Sequence, residues 1–200
     1  MSSRKYAVTF GRYNLVTNAH LNTVKTILRE WQYLTIGVID LTFQSPVQKN
    51  NEWRYFLEMC DKNCQSPGSF VFDIQEKIRM WKSTIEQSKL TRRVQVVSVK
   101  RPEYFNDEFN KSFPRSKYDL VFPQAKTESS EFDLLRNKAF SSILNRCVLY
   151  VNPTLTLHTT EIRAKVESGE TWEKFMPHGA YHTFREIKRC DPNTSGEILG

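Results

Sequence analysis

Short apolar runs alternate with stretches of helical periodicity along almost the whole chain. Tyr6–Phe10 reads as a first strand. From about Ala19 to Trp31, Leu21, Val24, Ile27, Leu28 and Trp31 recur on one side at helical spacing, which predicts an amphipathic helix. Tyr33–Ile39 is nearly continuous apolar sequence, the mark of a strand buried on both faces of a parallel sheet. A polar stretch from Thr42 to about Gly68 follows, with room for a short helix at Glu52–Met59. Ile74, Ile78, Trp81 and Ile85 predict a second long helix over Asp73–Ser88, with Asp73 suited to cap it. Strands are then expected at Arg93–Val99, Tyr118–Phe122 and Arg146–Val151. A polar, aromatic-rich loop (Pro102–Lys117) and a helix (Phe132–Leu144) separate them, and helices at Thr160–Glu167 and Thr171–Ile187 close the pattern. Strands alternating with helices specify an α/β fold, a doubly wound parallel sheet of about five strands with C-terminal helices. The expected organisation is one domain over 1–188 with a polar tail at 189–200.

Ligands of such sheets lie at the carboxyl ends of the strands, near the switch in strand order. The first strand breaks at Gly11-Arg12, and Thr17, Asn18 and His20 stand where the next helix begins. Helix-terminal N–H groups without an intrahelical partner attract phosphate, and a first-turn histidine adds a donor whose charge is adjustable near neutral pH. After the last strand, Thr159 and Thr160 stand at another helix start, with Arg163 further in. A guanidinium there matches phosphate oxygens in a bidentate manner. Each feature also has a plainer reading. His20 can cap its helix, the threonines can be simple N-caps, and Arg163 can pair with Glu161 or Glu167. Trp31, Trp81 and Trp172 read as core, and Trp53 in the long loop stands apart from them.

Composition narrows the classes. A chain of 200 residues with 39% hydrophobic content suits a single core, and no apolar run is long enough for a membrane span. Met1-Ser-Ser-Arg-Lys5 lacks a signal-peptide core, which points to the cytoplasm. The net charge of +7 is scattered, with no nucleic-acid module signature, and suits a small anionic substrate better than nucleic acid. Cys60 and Cys64 lack a second pair to complete a zinc site, so no metal ligands are assigned.

The two junctions together carry a resemblance. Phe10-Gly-Arg-Tyr-Asn-Leu-Val-Thr-Asn-Ala-His20 resembles the (H/T)-x-G-H signature of the nucleotidyltransferase superfamily, and Thr159-Thr-Glu-Ile-Arg163 resembles its I-S-S/T-T-x-I-R motif. Ser168–Pro177 is similar to the segment that follows in nicotinamide-nucleotide adenylyltransferases. Thr17 replaces the first signature histidine, as in phosphopantetheine adenylyltransferases, while Ala19 and Leu15 replace the usual glycine and proline. The resemblance implies a Rossmann-like fold that moves a nucleoside monophosphate, with Mg2+ and ATP as expected partners, onto a small phosphorylated acceptor such as nicotinamide mononucleotide. It implies catalytic roles for Thr17, His20 and Arg163, and nucleotide contacts from Phe10, Gly11, Arg12, Thr159 and Thr160. Lys77 loosely matches an acceptor-binding arginine. Cytidylyl transfer, a phosphopantetheine-type acceptor and a non-catalytic nucleotide-binding paralogue stay open, as does a homo-oligomer.

Overall fold

A computed structural model describes residues 4–43, 52–65, 72–124, 131–155, 161–162, 164–165, 168 and 170–189. The described elements run β1 (Arg4–Gly11), α1 (Asn18–Glu30), β2 (Trp31–Asp40), α2 (Arg54–Gln65), α3 (Ile74–Gln87), β3 (Val94–Lys100), α4 (Asn106–Ser112), β4 (Tyr118–Pro123), α5 (Glu131–Ile143) and β5 (Val148–Val151). A 3₁₀ turn (Glu173–Phe175) and α6 (His178–Arg189) complete them. The five strands are all parallel in the order β3-β2-β1-β4-β5. This is the Rossmann-like arrangement, with its switch between β1 and β4.

Side-chain alternation divides the strands between two cores. Ala7, Leu34, Ile36, Val38 and Val121 pack with Val24, Ile27, Trp81, Ile85, Ala180 and Phe184, so α1, α3 and α6 cover one face. Val8, Phe10, Ile39, Leu120 and Phe122 pack with Phe56, Leu57, Phe109 and Phe140, so α2, α4 and α5 cover the other. The unbroken apolar stretch of β2 is buried from both sides. Truncating a fully enclosed side chain such as Trp81 costs about 3–5 kcal/mol.

Several boundaries depart from the sequence pattern for identifiable reasons. Trp31, read as the last apolar position of the first helix, opens β2, where its indole donates to Asp119 at 2.8 Å. The short helix expected at Glu52–Met59 runs on to Gln65. Pro102–Lys117 contains a helix, α4, because Phe109 and Phe113 anchor it in the second core. β5 starts at Val148 because the Arg146 guanidinium turns back to the carbonyls of Phe113 and Tyr118, and Asn145 before it has φ 47°. The single helix expected over Thr171–Ile187 is split by Met176-Pro177 into the 3₁₀ turn and α6. At the start of α3, Asp73 caps as expected, in a reciprocal box with Glu76.

Candidate active site

β1 ends at Gly11, paired with Val38, and the chain reaches α1 through a six-residue turn from Arg12 to Thr17. That turn lies at the carboxyl end of β1, on the crevice where strand order reverses. Tyr13 shapes it. Its backbone sits in the left-handed region at φ 44°, a conformation that costs a bulky residue on the order of 1–3 kcal/mol. Tertiary packing offsets that cost. The Tyr13 ring meets the rings of His20 and Trp81 edge-on, each at 5.1 Å. It also lies over Gly11 so closely that a Cβ there would stand 3.0–3.2 Å from ring atoms, which explains the glycine. A hydrogen bond to the Thr9 side chain engages the phenol, and burial raises its pKa.

Thr17 is fully buried and caps α1. Its Oγ1 accepts the His20 N–H at 3.3 Å, while the Thr17 N–H donates to His20 Nδ1 at 3.1 Å. This is a capping box in which histidine occupies the place usually held by Glu or Gln. An Nδ1 that accepts leaves the ring proton on Nε2. Packing against Tyr13 and Trp81 desolvates the imidazole and pulls its pKa down to about 4, a hydrogen bond to the Leu15 backbone opposing the shift. The histidine is therefore neutral at pH 7. The expectation of a charge adjustable near neutrality gives way to a neutral donor, because the site is drier than a first-turn position usually is.

The other expected residues divide. Gly11, Arg12, Thr17 and His20 come together around this turn, and the Arg12 guanidinium lies 6.0 Å from the Phe132 ring of α5. Phe10 points away from the crevice, into the second core, edge-on to Phe109, Phe122 and Phe140. That placement makes Phe10 a packing residue, since side chains alternate faces and Gly11, not Phe10, ends at the rim. Lys77 is buried on α3, one turn before Trp81. Thr159, Thr160 and Arg163 lie outside the described residues.

What precedes and adjoins the second motif is described, and it reaches α1. Asn22 Oδ1 accepts the Leu155 N–H at 3.0 Å, and its Nδ2 donates to Thr154 Oγ1 at 3.1 Å. Asn18 Nδ2 donates to the Lys174 carbonyl at 2.9 Å. Ile162 is fully buried in the core that holds Leu15, Val16 and Trp81. Sequence reasoning missed Tyr13, Trp81 and Asn22 as parts of this site, and placed Asn18 at the helix start without its contact to the Lys174 carbonyl. The Gly-x-Tyr spacing was a usable signal for Tyr13, whereas the asparagines act through tertiary contacts that no local pattern shows. No helix among the described residues is long and apolar enough to cross a membrane.

Comparison with known proteins gives the architecture a context. No family model and no curated protein matches the sequence. Solved structures do match. A bifunctional NMN adenylyltransferase/ADP-ribose pyrophosphatase of Francisella tularensis, solved with AMP and a manganese ion, shares 13% identity at a TM-score of 0.63, over 93% of this chain and 49% of its own. A second structure of that bifunctional enzyme gives 14% and 0.59 over 94% and 50%. A Vibrio parahaemolyticus structure assigned as a nicotinate-nucleotide adenylyltransferase gives 12% and 0.54 over 90% and 97%. The chain shares the nucleotide-adenylyltransferase fold. It spans about half the length of the Francisella enzyme, and the likeness extends to the adenylyltransferase fold alone.

Proposed function

We propose that the chain is a nucleotidyltransferase that moves a nucleoside monophosphate, AMP from ATP, onto a small phosphorylated acceptor such as nicotinamide mononucleotide and releases pyrophosphate. The observation that carries this reading is the start of α1 at the switch point of an adenylyltransferase fold, with Asn22 tying it to the strand exit that leads into Thr159–Arg163. Attack of an acceptor phosphate oxygen on the α-phosphorus needs two anions aligned and the growing charge stabilised. In this reading the free N–H groups of the first α1 turn face the triphosphate, and neutral His20 turns its one ring N–H from the Leu15 backbone to a phosphate oxygen, donating a hydrogen bond without adding charge. Arg12 supplies positive charge beside them. Thr17 acts at one remove, by holding His20 in place. Thr159, Thr160 and Arg163 grip the leaving pyrophosphate. Among the described residues no group of three or more His, Cys, Asp or Glu gathers as a metal cage. In this reading Mg2+ enters with the triphosphate substrate as its counter-ion.

The test is direct. The protein is incubated with ATP or CTP, Mg2+ and a panel of phosphorylated acceptors, and pyrophosphate is followed. ATP-dependent release with one acceptor is expected, and its fall of about a hundredfold in a folded His20→Ala variant would match the loss of a transition-state donor. ATP binding with no pyrophosphate from any acceptor would leave a non-catalytic nucleotide-binding protein instead.

A further inference from the structure

We infer that Arg136 of α5 forms an anion subsite in the crevice, contacting an oxyanion of a bound polyphosphate; the nucleotide identity of that ligand rests on the function proposed above. The side chain lies at the carboxyl end of β4, its guanidinium 5.4 Å from the ring centre of Phe122. Phe122 packs on Phe10, so Arg136 stands across the switch point from the Gly11–Thr17 turn. Two contacts fix its orientation. Nε donates to Asn137 Oδ1 at 3.2 Å, and Nη1 donates to Asp133 Oδ1 at 3.0 Å. A guanidinium carries five N–H donors, and these bonds leave Nη2 available in a forked geometry that suits a phosphate oxygen pair.

The surroundings favour an anion there. The arginine side chain is only 21% exposed, and besides Asp133 the groups facing it are the phenols of Tyr13 and Tyr150, which are neutral at pH 7 and add no negative charge. Desolvation weighs on the guanidinium, and an incoming oxyanion would relieve it. Tyr13 links the subsite to the α1 start, since its ring also meets His20. From the β1–α1 turn the Arg12 guanidinium approaches the ring of Phe132, one helical turn before Arg136 on α5, so a second cation lies near the subsite. Neither a helix terminus nor a metal is needed for this contact.

The experiment uses the full chain and two probes, ATP and inorganic tripolyphosphate, titrated calorimetrically against wild type, Arg136→Gln and Arg136→Lys at several salt concentrations. We expect affinity for both probes to fall at least tenfold in Arg136→Gln, partial recovery in Arg136→Lys, and a shallower salt dependence in Arg136→Gln because one fewer charge is neutralised. A purely structural role would not change that salt dependence. Should Arg136→Gln fail to fold, Arg136→Lys decides by whether its affinity falls below wild type. Unchanged ATP binding in a folded variant overturns the subsite and leaves the proposed function standing. Arg136-dependent binding of tripolyphosphate without any preference for ATP supports the subsite and removes the nucleotide reading. Absence of binding to both probes by wild type overturns both.

Discussion

Protonation of His20 offers a quantitative check on the dryness of the site. The imidazole is held near pKa 4 in the folded state against 6.5 in an open chain. A folded-state pKa below the unfolded one means that the unfolded chain binds more protons between these values, so stability rises with pH across that window and is lost as pH falls from about 6.5 toward 4. At pH 5 the two values give a penalty of about 2 kcal/mol relative to neutrality, trimmed toward 1 by solvent at the partly exposed ring. Carboxylates titrate in the same region, so the measurement must be a difference. Gln is the ordinary residue at this place in a capping box, able to accept the Thr17 N–H without titrating, so His20→Gln is the matched reference. Urea unfolding of both proteins at pH 7 and pH 5 should show the wild type losing about 1–2 kcal/mol more than the variant on acidification. The ring carbon resonance of His20 should meanwhile stay unprotonated down to about pH 5. Equal losses in the two proteins, or a midpoint near 6.5, would refute the claim that Tyr13 and Trp81 dry the imidazole.

Two further predictions concern the frame. A Cβ at Gly179 would lie 2.6 Å from the Ser83 carbonyl oxygen, so Gly179→Ala should force α3 and α6 apart and destabilise by about 1–3 kcal/mol, read as a lowered thermal midpoint. Arg101, 7% exposed, bridges Asp61 at 2.6 Å and Glu103 at 2.9 Å. Arg101→Met should therefore cost about 3–5 kcal/mol at pH 7, read as a lowered urea midpoint, because it strands the buried Glu103 carboxylate and leaves Asp61 to the Tyr104 hydroxyl.

The sheet was legible because β1 and β2 are read by periodicity alone, and a run such as Tyr33–Ile39 has few alternative uses. Asp73 was legible as a cap because capping is local chemistry, whereas Thr17, expected to hold phosphate, turned out to cap α1 in a box with His20. α4 was hidden, since Asn106–Ser112 is polar and only tertiary anchoring of Phe109 makes it helical. The site was half legible. Gly11, Arg12, Thr17 and His20 follow from a strand breaking before a helix, but periodicity could not say that Phe10 faces the core or that His20 is neutral. Those outcomes depend on which face a residue takes and on how dry a cavity becomes, and both are set by partners distant in sequence. Arg136 belongs to the same class, because its role depends on where α5 settles against β4.

The left-handed backbone of Tyr13 has a wider consequence. A turn that a glycine would adopt unaided is here enforced by an aromatic wedge, and the wedge leans on Trp81, whose helix α3 is in turn clamped by α6. The turn between β1 and α1 thus inherits its shape from a crossing near the other end of the chain. Damage at that remote crossing should blur the ligand pocket well before the protein melts, so loss of affinity at moderate temperature would be the earliest symptom of a weakened scaffold.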